Sequence, residues 1–206
     1  MDVPRAITAL SGDFIEDTNL NDVKDLISYT PGVSGNSQDS YIDAVSIRGV
    51  RTQDFGVGGD PSSAFFKNDL YEGRNGSAVT SLFDIERAEV LRGPQGFLFG
   101  RNSIGGAFSV HTRKAEIGAD DAYMDLDFGQ RGHFVFEGAT NIPVNESFAM
   151  RLAGYSSSER GFAKNVATNR REIEHSKMAV RWSTAYEGDR LSINTVVDYE
   201  DREQSG

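Results

Sequence analysis

The chain has 206 residues, 38% of them hydrophobic and 25% charged, which is enough for one large domain or two small ones and too apolar for general disorder. A formal net charge of -10 argues against broad affinity for nucleic acid or for an anionic membrane face. Cysteine is absent, which excludes disulfides and thiolate metal sites and suits a periplasmic or outer-membrane setting.

The opening "MDVPRAITAL" lacks a basic stretch followed by a long apolar core, so no signal peptide is visible. No window approaches the roughly eighteen consecutive apolar residues of a membrane-spanning helix. Strands of a membrane barrel alternate and escape that test.

Up to about Lys114 the pattern is mixed. "RAITAL" (5–10) reads as a strand, and Ser11 is placed to cap a helical turn carrying Phe14 and Ile15. "NDVKDLISYTPG" (21–32) sets Val23, Leu26 and Ile27 at helical spacing, with Asn21 as N-cap and Pro31-Gly32 as the stop. "AVSIRGV" (44–50) reads as a strand, and "SSAFFKNDLYEG" (62–73) as a hairpin about Asn68-Asp69. "AVTSLFDIE" (78–86) reads as a short helix, followed by strands at "RAEVLRG" (87–93) and "AFSVHTR" (107–113). The sum is a small α+β domain.

Beyond that point five segments of about ten residues alternate apolar and polar, the length and pattern of membrane-spanning strands. They are 122–129, 133–144, 148–155, 175–186 and 191–200. Met124, Phe136, Leu152, Trp182 and Val197 fall on the apolar face; Asp125, Asn141, Arg151, Arg181 and Asp198 fall on the other. The connections "NES" (145–147) and "EGDR" (187–190) are tight, whereas 157–174 is long and polar, an asymmetry typical of outer-membrane barrels. Phe148, Trp182 and Tyr186 lie toward the short turns, where an aromatic girdle belongs. An antiparallel sheet with one face on a soluble core also alternates, and turn asymmetry and aromatic placement favour the membrane. Five strands do not close a barrel, which needs about eight, so the segment reads as part of a longer chain.

The glycine-rich stretch "VLRGPQGFLFGRNSIGGAFSV" (90–110) fits no phosphate loop: no lysine follows Gly100 at the required place, and Gly93 and Gly96 miss the dinucleotide spacing. A structural role fits better, with a turn at Gly93-Pro94, Gly96 and Gly100 flanking "FLF", and Gly105-Gly106 allowing backbone to approach backbone.

"FDIERAEVLRGPQGFLFGRNSIGGAFSVHTRK" (83–114) resembles the plug-domain signature of TonB-dependent outer-membrane receptors. "SIRGV" (46–50), "LISYTPGVS" (26–34), "AFFKNDLYEG" (64–73) and "FAMRLAGYSSSERGF" (148–162) extend the resemblance over nearly the whole chain. It implies an α+β plug domain (1–114) followed by antiparallel transmembrane β-barrel strands (115–206), an incomplete piece of the plugged barrel of about 22 strands. The implied role is uptake of a scarce, bulky nutrient, above all a ferric siderophore, across the outer membrane of a Gram-negative bacterium. The TonB–ExbB–ExbD complex supplies the energy through a short N-terminal box, and no such box is recognisable ahead of "VPRAITAL". Gly49, Gly93, Gly96, Gly100, Gly105 and Gly106 are the implied plug-motif glycines. Arg48 and Arg92 match family positions that pair with barrel glutamates, and an enclosed guanidinium needs such a partner. Outward plug loops carry ligand contacts in the family, which makes Phe55, Tyr71 and Arg74 the apical candidates.

Departures from the family pattern are Asn68-Asp69 in place of Asp-Gly, and Phe97 and Phe99 in place of a hydroxyl residue and Tyr. His111, His133 and His175 lack ligand spacing, and Asp120, Asp121, Asp125 and Asp127 lack the order of a calcium loop. No serine sits in a nucleophile elbow, and nothing places two carboxylates across a cleft. No enzyme, cofactor or resident metal is expected. The rival expectation is a soluble α+β binding or adhesion module whose alternating strands form a β-sandwich.

Overall fold

The computed structural model describes residues 6–35, 45–51, 61–73, 80–94, 96–100, 102–161, 163–166, 171–172 and 174–204. Contacts divide the chain into two compact units, Met1–Thr112 and Arg113–Gly206.

In the first unit, β1 (Ala6–Ser11) ends at Ser11, whose hydroxyl accepts the Phe14 N–H at 3.3 Å and caps α1 (Gly12–Asp17) as expected. A Cβ on Gly12 would overlap the Ile85 carbonyl oxygen, so only glycine lets this helix start so close to the sheet. The helix expected over 21–32 forms in two short pieces, a 310 turn at Val23–Asp25 and α2 (Leu26–Tyr29). The N–H groups of Asn21 and Asp22 both go to Asp25 Oδ2, at 3.0 Å, while Asn21 turns its amide to Asn19. A carboxylate reaching back to backbone N–H groups, rather than the Asn21 side chain, thus caps this turn.

β2 (Val33–Ser34) pairs with β3 (Ser46–Ile47). The strand expected over 44–50 stops at Ile47 because Arg48 and Gly49 take φ of 52° and 81° and fold the chain back to Val50. β4 (Ser63–Lys67) and β5 (Leu70–Tyr71) make the expected hairpin, with φ of 49° at Asn68 and 65° at Asp69, a turn whose twist suits two strands.

No helix forms over 80–84. Those residues are buried on every side, Ser81 bridges to Asp22, Leu82 N–H bonds Asn21 O at 3.1 Å, and Asp84 turns at φ 50° into the next strand. The apolar spacing of Leu82 and Phe83 imitates a helix, but a segment enclosed this way bonds its backbone to neighbours instead. β6 (Ile85–Arg92), α3 (Gly96–Phe99) and β7 (Gly106–Thr112) complete the unit.

The sheet order is β1-β6-β7-β4-β5, antiparallel except where β4 runs beside β7. One sheet face, through Phe65, Val90, Phe108 and Val110, packs on Ile15, Val23 and Leu26 to form the main core. The other gathers Ala64, Phe66, Leu91 and Ala107 against Tyr71 and Phe99.

The second unit is a meander of β8 (Asp121–Phe128), β9 (Phe134–Asn145), β10 (Phe148–Glu159), β13 (His175–Glu187) and β14 (Ser192–Gln204). The small hairpin of β11 (Ala163–Lys164) and β12 (Arg171–Glu172) lies in the long connection between β10 and β13. Every pairing in the meander is antiparallel. The rival β-sandwich is not what forms, because these strands lie in a single open sheet. The 12 or 13 residues of β9, β10, β13 and β14 exceed the roughly 9–11 that a tilted barrel strand needs to cross a bilayer, while β8, with 8, falls just short. No helix among the described residues is long and apolar enough to cross one.

Candidate functional site

The two faces of the five-stranded sheet divide by chemistry. Leu152 pairs with Trp182, and Trp182 with Val197, in a cross-strand row whose members are about half exposed. Met124, Phe128, Ile142, Val180 and Tyr199 extend the same bare apolar face. The opposite face holds buried small and polar side chains: Ala139, Asn141, Ala153, Ser183, and two arginines, Arg151 and Arg181. Arg181 is 1% exposed and donates from Nε to Asp198 Oδ1 at 2.7 Å; Arg151 Nη1 reaches Asp121 Oδ2 at 3.2 Å. Charge is enclosed and hydrocarbon is presented outward, the reverse of a sheet in water and the arrangement of a barrel wall in lipid.

At the end of the sheet carrying the long connection, Arg131 binds Glu159 from Nε and Nη2. His133 stands between Asp127 Oδ2 and Glu159 Oε2, at 3.5 and 3.4 Å. Beside them an open recess of about 490 Å³ is lined by Gly132, Ser158, Glu159, Glu174, His175 and Glu203. His111 lies in the first unit against Ser109 Oγ, at 3.1 Å. Among the described residues no three metal-ligating side chains converge.

In the first unit, Arg48 and Arg92 meet at one turn. The Arg48 N–H donates to Gly32 O at 2.8 Å, and Arg92 Nη1 donates to Pro31 O at 2.8 Å. Arg48 is exposed, and its Nη1 would stand 3.2 Å from a Cβ on Gly93, so the glycine leaves room for the guanidinium. Arg92 Nε is buried and has no partner among the described residues. Two cations thus stand on one turn, and the Arg92 guanidinium is bonded there to a backbone carbonyl oxygen.

Gly49, Gly93 and Gly100 take positive φ, and Gly106 sits at φ 151° where a Cβ would overlap the Leu91 carbonyl oxygen. The close backbone approach expected at Gly105-Gly106 is tightest at Gly106; a Cβ on Gly105 would stand 3.1 Å from the Ser63 hydroxyl and 3.4 Å from the Ser62 carbonyl oxygen. Gly96 opens α3 with nothing within 4 Å of an added Cβ. Tyr71 is half-buried, with its hydroxyl accepting from Asn102 Nδ2 at 2.7 Å and its ring 5.5 Å from that of Phe66. Phe55 and Arg74 lie outside the described residues, as do most of the loops that carry them.

The sequence pattern places Asn141 on the polar face and says nothing more of it; the structure gives it a specific partner. Fully buried, it accepts the Glu116 N–H at 2.9 Å and donates to Glu116 O and Ala119 O at 2.8 and 2.7 Å. Only the presence of polar side chains among apolar ones in β9 could have pointed to it.

Residues 1–107 match the family described as TonB-dependent Receptor Plug Domain. The chain belongs to this family, the plugged β-barrel receptors of the Gram-negative outer membrane. It is 27% identical over 150 residues to the ferripyoverdine receptor of Pseudomonas aeruginosa, covering 73% of this chain and 18% of that protein. It is 26% identical over 171 residues to the ferrioxamine B receptor of Salmonella typhimurium, covering 75% and 22% respectively. Among solved structures, the ferric yersiniabactin uptake receptor of Yersinia pestis superposes with a TM-score of 0.86 at 19% identity, over 96% of this chain and 32% of that one. The alcaligin outer-membrane receptor of Bordetella pertussis gives 0.79 at 17% identity, over 100% and 33%. The chain spans about a fifth of the length of the curated relatives it matches.

Proposed function

We propose that residues 1–114 are the plug, and 115–206 the first barrel strands, of a receptor that captures a ferric siderophore outside the cell and imports it. The observation that carries the reading is the inverted sheet, with Leu152, Trp182 and Val197 bare on one face and Arg151 and Arg181 buried on the other. The siderophore cargo rests on the relatives, whose names specify ferripyoverdine and ferrioxamine B. Energy comes from the TonB–ExbB–ExbD complex, in keeping with the TonB-dependent family that residues 1–107 match.

Arg48 and Arg92 hold the plug through carboxylates on later barrel strands; the buried Arg92 Nε, which has no partner among the described residues, supports this. Phe55, Tyr71 and Arg74 contact cargo from the apical loops. Binding and gated passage need no covalent chemistry, so the receptor is not an enzyme.

The test is uptake of radioactive iron by an iron-starved strain lacking its own siderophore receptors and carrying the full-length gene. Cells given ferric hydroxamate or pyoverdine-type chelates should accumulate iron, and deletion of TonB should abolish the gain. Binding and uptake indistinguishable from the empty strain, across both chelate classes, would overturn the siderophore reading.

A further inference from the structure

The chain enters the five-stranded sheet through a segment held by both side-chain hydrogen bonds and packing. β8 and β9 are paired from Asp121–Asn141 onward, while β9 itself continues to Asn145. At this last pair the Asn141 side chain takes over from the ladder. Its amide oxygen and nitrogen bind the N–H and C=O of Glu116 and the C=O of Ala119, all between 2.7 and 2.9 Å. These contacts are to backbone, so they do not depend on which side chains the segment carries.

A second set of contacts holds the same segment. Ala115 packs against Ala149 of β10 and Ala185 of β13, with Ile117 alongside. Ala149 is fully buried, and small residues at these two strand positions leave the depth that Ala115 fills. Arg151, also on the polar face, binds Asp121 where the segment joins β8. From Ala115 to Asp121 the chain therefore lies along the polar face and crosses several strands.

We infer that Asn141 and the Ala149–Ala185 floor form a retention clamp that keeps residues 115–119 on the barrel wall while the plug is rearranged. The inference rests on the energy-coupled import reading. Its content is a boundary: movement driven from the N-terminus ends at Arg113 and Lys114, and the connection beyond them does not leave the sheet. A buried amide using both its donors and its acceptor on one stretch of backbone releases it only by leaving polar groups unsatisfied.

The experiment is hydrogen exchange on the full-length receptor in proteoliposomes, read at the Glu116 amide, with and without the energised TonB–ExbB–ExbD complex and cargo. Glu116 should stay protected within about twofold when the complex is energised. Asn141→Ala should speed its exchange by tenfold or more without changing the amides of residues 149–155, and Asn141→Asp, which keeps the acceptor, should fall between. Loss of protection by tenfold or more on energising the wild-type receptor overturns the clamp, as does an Asn141→Ala variant that exchanges like wild type. If the variants fail to insert, the wild-type comparison still decides. If iron is not imported but Asn141→Ala still frees Glu116, the import reading fails and the attachment itself stands.

Discussion

Arg92 donates from Nη1 to the carbonyl oxygen of Pro31, 61 residues earlier, at 2.8 Å. The bond ties the end of strand β6 to the turn that follows α2, and the backbone of Arg48 bonds the next residue of that turn. Removing the guanidinium with Arg92→Ala should destabilise the plug by about 1.5 to 3 kcal/mol, the range of a charged hydrogen bond. Arg92→Lys should recover only part of it, because an ammonium lacks the planar fork. Denaturant titration of the refolded receptor, followed by the plug's own signal, measures both.

The two ends of the glycine-rich stretch respond differently to the same change. Gly106→Ala places a methyl on the Leu91 carbonyl at φ 151° and should cost more than about 2 kcal/mol, by separating β6 from β7. Gly96→Ala meets open space at the start of α3 and should be neutral or stabilising by up to about 1 kcal/mol. Equal losses in a thermal-unfolding comparison would contradict the geometry.

At the β4–β5 tip, Asn68 and Asp69 are not equivalent. Asn68 accepts the Thr112 N–H at 2.9 Å and donates to the Thr112 hydroxyl at 3.0 Å, so Asn68→Ala should cost about 1 to 3 kcal/mol. Asp69 sits at φ 65°, where glycine is unstrained, so Asp69→Gly should gain up to about 1 kcal/mol. Melting temperatures of the two variants should move in opposite directions.

The apolar face supplies a test of membrane exposure. Leu152 is 50% exposed within the row between Thr140 and Trp182, and Leu152→Arg should cost about 2 to 4 kcal/mol of folding free energy in lipid, the mid-bilayer cost for a barrel. Leu152→Ala should cost less. Reversible folding into phospholipid vesicles gives the difference, and equal effects would place this face away from hydrocarbon.

Much of this architecture is local in origin and could be read from residue order alone. Alternation over five segments specifies strands and their faces, since side chains in a strand point to opposite sides in turn. Ser11 ahead of an apolar turn specifies a cap, and Asn68-Asp69 a reversal, because each depends on its own backbone and near neighbours. The run from Phe83 to Lys114 carries the family by the order of its motifs. Tertiary structure decided what depends on distant neighbours. Residues 80–84 have helical spacing, yet they bond to residues 21–22 because burial leaves them no water. The strand at Ser46 ends early because Arg48 and Gly49 turn the chain at positive φ, and Asn141 meets the backbone of Glu116 and Ala119 because β9 folds back beside them. Periodicity reports which way a side chain points. It does not report which remote backbone that side chain will meet, and packing settles that.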